Sequence, residues 1–203
     1  MENKFIKNRR GQKISVLVEF PKNPRGLAFI MHGLGGFKEI PMIVAMAEAF
    51  LKKDIIAFRF DTTNSFGESD GTYELATTTN YYEDLEDVIN WAKKQPWYVE
   101  PFYLIGHSTG AVCLGTYAKR HPEKIKGLAP LGGVSGELWL KNEPKEGLKK
   151  WNKTGWKITP SSKPGTIKKL NWHNYLKDSL DYDLLKNTER VTTPCPKGQG
   201  FYE

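Results

Sequence analysis

A serine between two glycines is the part of the sequence best able to do chemistry. Residues 106–110, with the sequence GHSTG, follow a strand-like run at 103–105 and precede residues 111–120, which are typical of a helix. A strand, a sharp turn and a helix in this order lift a serine to the top of a sheet, where its hydroxyl can attack a carbonyl carbon. Gly-x-Ser-x-Gly is common by chance, and the flanking strand and helix favour a nucleophile at Ser108.

A glycine-rich run supplies the second requirement of acyl transfer, which is hydrogen-bond donors for a developing oxyanion. Residues 27–31 are continuously apolar, as in a strand buried on both faces, and residues 32–36, HGLGG, follow them. The Leu34 N–H from this loop and the Thr109 N–H at the start of the helix are the predicted donors. A phosphate-binding loop is the alternative, but the run lacks the lysine and the serine or threonine of a P-loop.

Predicted strands and helices alternate through the first two thirds of the chain. After a hairpin over residues 4–20, strands are predicted at 27–31, 55–60, 102–105 and 125–131, and helices at 41–52, 80–94 and 109–120. This alternation predicts an α/β fold, a mostly parallel sheet with helices on both faces. His32, Asp61 and Ser108 would then gather at the carboxyl ends of the strands. Pro130 weakens the last of these strands and places it near an edge.

The composition of the 203-residue chain predicts one soluble globular domain, with 39% apolar and 26% charged residues. No apolar run approaches the roughly 20 residues of a membrane helix, and the first residues lack the apolar centre of a signal peptide. We therefore predict a cytoplasmic location and no membrane span. Cys113 is expected to be a small buried hydrophobe, and the histidines and cysteines show no zinc-ligand spacing, so neither a metal nor a cofactor is predicted.

The net charge of +7 is unevenly distributed. Residues 141–170 hold nine lysines and two glutamates, and their net charge of +7 equals that of the whole chain. Such a segment can attract an anionic substrate, an anionic membrane surface or nucleic acid, or it can be a solvated insertion covered with lysines. We expect no nucleic-acid partner and keep an anionic ligand at this segment as an open alternative. The oligomeric state does not follow from the sequence.

Four motifs together resemble the α/β-hydrolase superfamily: HGLGG at 32–36, RFD at 59–61, GESDG at 67–71 and GHSTG at 106–110. The pattern is similar to the branch that holds cinnamoyl and feruloyl esterases, monoacylglycerol lipases and serine aminopeptidase-like proteins. The resemblance covers residues 12–131 well and residues 132–195 loosely. It implies that Ser108 is the nucleophile and that Leu34 and Thr109 form the oxyanion hole.

The resemblance also implies residues that support the site, namely His32, Gly33, His107, Arg59 and Asp61. For Arg59 and Asp61 a buried ion pair or loop anchor is the expected role. His32 is expected to pack the glycine-rich loop. The side chain of His107 is expected to point away from the site although the residue adjoins the nucleophile.

The same superfamily places an acid and then a histidine after the serine in chain order. The lead-in to the acid-bearing strand is expected near residues 191–194, yet residues 195–203, CPKGQGFYE, are poor strand material and contain no histidine. His121 lies at the far end of the predicted helix, roughly 20 Å from Ser108. His173 lies in the inserted segment, where two aspartates follow it in the reverse of the expected order. We expect a truncated hydrolase that lacks its last strands and a complete triad.

The predicted organisation is a hydrolase core over residues 1–132, a cap or lid insertion over 133–190, and the start of an incomplete C-terminal core segment over 191–203. The predicted function is hydrolysis of small carboxylic esters through an acyl-enzyme on Ser108. A serine peptidase or amidase on the same scaffold is one alternative. A non-catalytic module that binds an anionic ligand through its basic cap is the other.

Overall fold

A six-stranded sheet forms the centre of the protein in the computed structural model, which describes residues 1–133, 136–161 and 165–190. Its strands are β1 (Glu2–Lys7), β2 (Lys13–Glu19), β3 (Gly26–Met31), β4 (Ile55–Phe60), β5 (Phe102–His107) and β6 (Ile125–Leu131). The spatial order is β1-β2-β4-β3-β5-β6. Strands β4, β3, β5 and β6 run parallel, and the β1–β2 hairpin adds two antiparallel strands. The prediction of a mostly parallel sheet with helices on both faces is confirmed.

Three helices cover the two faces of this sheet: α1 (Pro41–Leu51), α2 (Thr78–Ala92) and α3 (Thr109–Arg120). The side chains of successive β3 residues point to opposite faces of the sheet, as in any β-strand. Phe29 faces the side of α2 and α3, and Ile30 faces the side of α1. All six residues of β3 are buried, as the continuous apolar run predicted. Short 3₁₀ turns occupy Tyr73–Leu75, Pro122–Lys124 and Thr188–Arg190.

The predicted elements of the core agree with the structure to within a few residues. Helix α2 begins two residues earlier than predicted because the Thr77 side chain caps it and accepts the Asn80 N–H at 3.1 Å. Strand β6 borders only β5 in the described sheet, in agreement with the prediction that its proline places it near an edge. Cys113 is buried and free, as expected, whereas Cys195 lies outside the described residues.

Beyond β6, the described residues form three helices and a hairpin: α4 (Gly136–Asn142), α5 (Lys145–Thr154), β7 (Trp156–Pro160), β8 (Ile167–Asn171) and α6 (Trp172–Ser179). Loss of the β–α alternation predicted a cap here. The sequence did not indicate the antiparallel β7–β8 pair. The predicted domain boundaries remain a prediction, and the segment at 191–203 lies outside the described residues.

The segment after β6 is anchored to the core at several points. Leu170 and Trp172 are fully buried and belong to the same apolar cluster as the strands. The Thr79 N–H donates to Asp178 Oδ2 at 3.0 Å, at the start of α2. The Lys119 ammonium at the end of α3 donates to the carbonyl of Leu184 at 2.7 Å. These contacts fix the β7–β8 hairpin and α6 relative to the site described next.

Candidate active site

Ser108 stands at the turn between β5 and α3 with an unusual backbone conformation. Its φ is 54° and its ψ is −122°, a combination that costs a non-glycine residue of order 1–3 kcal/mol. The Ser108 N–H donates to the Leu131 carbonyl at 2.9 Å, and the Ser108 carbonyl accepts the Val112 N–H at 3.1 Å. The turn is therefore held from the neighbouring strand and from its own helix.

The two glycines beside Ser108 let the turn approach the end of β3. A Cβ atom on Gly110 would lie 2.4 Å from the His32 carbonyl oxygen. A Cβ atom on Gly106 would lie 2.9 Å from the Met31 carbonyl oxygen. These distances are too short for any side chain because the obstructing atoms are backbone atoms. The glycines of the motif are thus required by the packing of α3 against the loop after β3.

The glycine-rich loop after β3 lies directly against the serine. A Cβ atom on Gly33 would lie 3.0 Å from Ser108 Cβ. The Gly36 N–H donates to the Gly33 carbonyl at 2.8 Å, and the Gly35 N–H donates to the buried hydroxyl of Tyr81 at 2.9 Å. Gly35 has a φ of 66°, which favours glycine at that position. The loop is therefore fixed in shape beside the hydroxyl that it would assist.

The two predicted oxyanion donors come from different parts of the chain, Leu34 from the loop after β3 and Thr109 from the residue after Ser108. Leu34 lines the same cavity as Ser108, and Thr109 is the first residue of α3, where helix N–H groups lack intrahelical acceptors. Within the described part of the chain, neither the Leu34 N–H nor the Thr109 N–H donates to a protein acceptor. Two unpaired N–H groups and a helix N-terminus can stabilise a negative oxygen.

His32 connects the glycine-rich loop to the loop after β4. It is fully buried, and its Nε2 accepts the Thr62 N–H at 3.1 Å. Because a backbone N–H can only donate, Nδ1 carries the proton and donates to the Gly33 carbonyl at 2.8 Å. Burial lowers the pKa of His32, so the ring is held neutral. His32 thus positions the loop that carries Leu34.

Arg59 and Asp61 hold Lys38, which follows the glycine-rich loop. Asp61 Oδ1 accepts the Lys38 N–H at 2.6 Å, and Asp61 Oδ2 pairs with the Lys38 ammonium at 3.1 Å. The Arg59 guanidinium donates to the Lys38 carbonyl at 2.7 Å and pairs with Glu19 at 2.7 Å. Both side chains therefore anchor a loop, and neither has a hydrogen bond to Ser108 among the described residues.

The Lys38 ammonium completes this network with Glu68 from the loop after β4, at 2.6 Å. Burial opposes the charged form of Lys38, but the bonds to Glu68 and Asp61 outweigh burial and raise its pKa. The hydrogen bonds from Lys38 and Ser15 lower the pKa of Glu68. A fully buried lysine thus joins the two loops that approach the serine.

None of the four histidines is hydrogen-bonded to Ser108 in the part of the chain that the structure describes. His32 bonds to Thr62 and Gly33, the centre of the His121 ring lies 4.6 Å from that of the tilted Tyr117 ring, and the His173 Nε2 lies 3.1 Å from the Asn152 carbonyl. His107 lies closer to the site than expected, because it lines the cavity of Ser108, and burial lowers its pKa. No hydrogen bond between His107 and Ser108 occurs in the described structure, and burial alone shifts the pKa of His107.

A cavity of about 320 Å³ opens over the serine. The glycine-rich loop and the apolar side chains of Phe37, Ile40, Met42 and Phe66 form most of its wall. Ser161 and Lys168 reach it from the β7–β8 hairpin. The volume is near the lower end of the range for small-molecule pockets, about 300–1,000 Å³. The arrangement can bind a small, largely apolar ligand with a carbonyl group beside Ser108.

Three residues of the site did not emerge from the sequence. Lys38 and Lys168 are lysines in a chain that has many, and lysine is usually exposed. Tyr81 lies on a helix whose pattern indicates only burial. The one available signal was the position of Lys38, two residues after the glycine-rich loop. The carboxyl ends of neighbouring parallel strands meet at one edge of the sheet, and this places Lys38 near Asp61. Among the described residues, no group of three or more histidines, cysteines or carboxylates lies close enough together to hold a metal ion.

Comparison with known proteins gives a family and a set of structural neighbours. Residues 22–195 match the model of the family described as serine aminopeptidase, S33. Est1E from Butyrivibrio proteoclasticus, in a structure described as having ferulic acid bound, is 25% identical with a TM-score of 0.78, over 95% of this chain and 76% of that one. Alpha/beta hydrolase domain-containing protein 10 from mouse is 19% identical with a TM-score of 0.70, over 96% of this chain and 76% of that one.

A putative hydrolase from Agrobacterium vitis S4 shares the fold at 15% identity, with a TM-score of 0.73. The matched region covers 96% of this chain and 77% of that chain. No curated protein sequence matches the chain. No helix in the described ranges is long and apolar enough to cross a membrane.

Proposed function

Because the chain belongs to the serine aminopeptidase S33 family of α/β hydrolases, we propose that it is a serine hydrolase of small carboxylic esters. The observation that carries the proposal is the geometry at Ser108. A strained turn presents the hydroxyl, Gly33 lies against it, and the N–H groups of Leu34 and Thr109 are unpaired among the described residues. The likeness to Est1E, in a structure described as having ferulic acid bound, supports a carboxylic acid as the product of the reaction.

In the proposed reaction, Ser108 Oγ forms a bond to the ester carbonyl carbon, and the carbonyl oxygen becomes negative. The Leu34 and Thr109 N–H groups donate to that oxygen. The C–O bond to the alcohol then breaks, the alcohol leaves with a proton, and the acyl group remains on Ser108. Attack by water on the acyl-enzyme releases the carboxylic acid and restores the serine.

Proton removal from Ser108 is the step for which the described residues supply no histidine base. Loss of a triad member leaves a residual acceleration of order 10³–10⁴ over water, which comes from the oxyanion hole and binding. We therefore expect slow turnover by this chain and a measurable reaction of Ser108 with strong electrophiles. The cytoplasmic location remains a prediction, as does the small-molecule nature of the substrate.

A fluorophosphonate probe tests the assignment of the nucleophile. We expect the probe to label the chain at Ser108, with loss of label in Ser108→Ala and retention in Ser161→Ala. Ser161 is a suitable control because it lines the same cavity. Peptide mapping by mass spectrometry locates the adduct. Equal labelling of the parent chain and Ser108→Ala would contradict the proposal.

An amidase or peptidase activity is a second candidate, favoured by the description of the matching family as a serine aminopeptidase. The same acyl-enzyme would form, with an amine as the leaving group. The ratio of p-nitrophenyl acetate hydrolysis to aminoacyl-anilide hydrolysis separates the two, measured with Ser108→Ala as the blank. Faster cleavage of the anilide would favour the peptidase.

A further inference from the structure

A single charged side chain lies in the wall of the cavity over Ser108. Among the described residues that line the cavity, Lys168 is the one that carries a charge, and the others are glycine, apolar, serine or a histidine whose pKa burial lowers. Isolated charges are costly in apolar surroundings. A lysine placed there therefore calls for a ligand that compensates it.

The direction of Lys168 follows from its place on β8. Successive residues of a strand point to opposite faces, so Lys168 shares a face with Leu170, and Lys169 shares the other face with Ile167. Leu170 is fully buried in the core, and Ile167 is 68% exposed. Lys168 thus projects inward from the hairpin, between the core and the cavity, and is partly buried.

The neighbouring lysines of the hairpin have partners, and Lys168 has none in the described structure. Lys157 on the same inner face pairs with Glu143 at 3.1 Å and lies over the Trp151 ring at 4.3 Å. Lys169 on the outer face lies over the Trp156 ring at 4.2 Å. No ion pair or hydrogen bond of the Lys168 ammonium to a described residue occurs. Burial without a compensating carboxylate lowers its pKa.

We infer that Lys168 is a specificity residue that binds a carboxylate on the substrate, so that the preferred substrates are small esters whose acyl or alcohol part carries an ionised carboxyl group. This inference rests on the proposed function of Ser108. A carboxylate fits better than a phosphate monoester because a single ammonium matches one negative charge, and the monoester carries nearly two. A dianion would leave a surplus charge in a cavity whose other described walls carry none. Ser108 and Lys168 line the same cavity of about 320 Å³, so a ligand bound beside Ser108 shares that cavity with Lys168.

The test compares two ligands with one skeleton, monomethyl glutarate, which is anionic, and dimethyl glutarate, which is neutral. Their dissociation constants for the full chain carrying Ser108→Ala are measured by titration calorimetry, so that turnover is not needed. We expect the anionic ester to bind about tenfold to hundredfold more tightly, the range of a hydrogen bond to a charged group. Lys168→Met should abolish this preference, and Lys169→Met should preserve it.

Equal affinity for the two esters, binding of neither, or a preference that survives Lys168→Met would overturn the inference. So would equal loss of the preference in Lys168→Met and Lys169→Met, because that would indicate a general effect of positive charge on the hairpin. Thermal melts of both variants confirm that each is folded. The labelling of Ser108 by the neutral fluorophosphonate is scored separately, so failure of the nucleophile assignment and failure of carboxylate binding give different results.

Discussion

At the scale of single residues, the backbone conformation of Ser108 and the lack of a side chain at Gly33 together determine how the serine is presented. Ser108 has a φ of 54°, which a serine adopts only where its surroundings enforce it. The turn is enforced by the Leu131 carbonyl on one side and by the end of β3 on the other. The absence of a side chain at Gly33 then lets the glycine-rich loop lie against Ser108. Small changes here should affect reactivity more than stability.

Gly33→Ala should slow the reaction of Ser108 with a fluorophosphonate by at least about tenfold, at a cost in stability of about 1–2 kcal/mol. The added Cβ would lie 3.0 Å from Ser108 Cβ and 3.1 Å from the His107 carbonyl oxygen, so the loop must move away from the serine. Labelling rates and urea unfolding measure the two effects. Gly147→Ala is the control, because its nearest neighbour would lie at an ordinary 3.4 Å, and its labelling rate should equal that of the parent.

The sequence predicted site residues that form a distinctive motif, such as the glycines around Ser108. It missed site residues of a common type, such as the lysines. Glycines on both sides of a serine indicate a tight turn because only backbone atoms fit there. The charged partners Lys38 and Lys168 carry no such signal, since their roles depend on which loops the fold brings together. Arg59 and Asp61 were predicted as an ion pair or a loop anchor, and in the structure both bond to Lys38, which no sequence pattern paired with them.

At the scale of elements, the loops after β3 and β4 behave as one unit because a buried lysine joins them. The Lys38 ammonium bonds to Asp61 at the end of β4 and to Glu68 in the following loop. The His32 ring makes a second connection through Thr62. The glycine-rich loop is therefore positioned by a neighbouring loop as well as by its own strand.

Lys38→Met should lower the free energy of unfolding by about 3 kcal/mol or more, because it leaves the buried Asp61 carboxylate without its cation. The side chains of Lys38 and Asp61 are 0% and 1% exposed, so water cannot replace the lost partner. Urea unfolding at pH 7 measures the change. Lys22→Met at an exposed loop position is the matched control and should change stability by less than about 0.5 kcal/mol. Equal effects of the two substitutions would contradict the assigned role of Lys38.

At the scale of the whole molecule, the core was more predictable than the segment after β6. Repeated β–α units carry strong periodic signals, and their parallel pairing follows from the connections. The β7–β8 hairpin is lysine-rich, and most of its residues are exposed or only half-buried, so its strands show no apolar alternation. It is held in place by Leu170 and Trp172, which bury into the core cluster formed by other elements. Such anchoring is a tertiary property that the local sequence does not encode.

The stability of the whole protein should fall as the pH is lowered from about 7 to 5, because two histidines have pKa values lowered by burial. The unfolded chain binds protons at these histidines below about pH 6.5, and the folded chain resists doing so. For the fully buried His32, which the Asp61 carboxylate and the Lys38 ammonium influence in opposite directions, the limiting slope is about 1.4 kcal/mol per pH unit.

Unfolding in urea at pH 8, 7, 6 and 5 tests this expectation against His32→Gln. At pH 8 the two proteins differ by the cost of losing the bonds to Thr62 and Gly33, which does not depend on pH. Toward pH 5 the parent should lose stability faster than the variant, because the variant lacks one of the two histidines whose pKa burial lowers. Parallel curves would show that His32 takes up a proton in the folded protein as readily as in the unfolded chain. The assignment of His32 as a neutral ring that connects the loops after β3 and β4 would then be wrong.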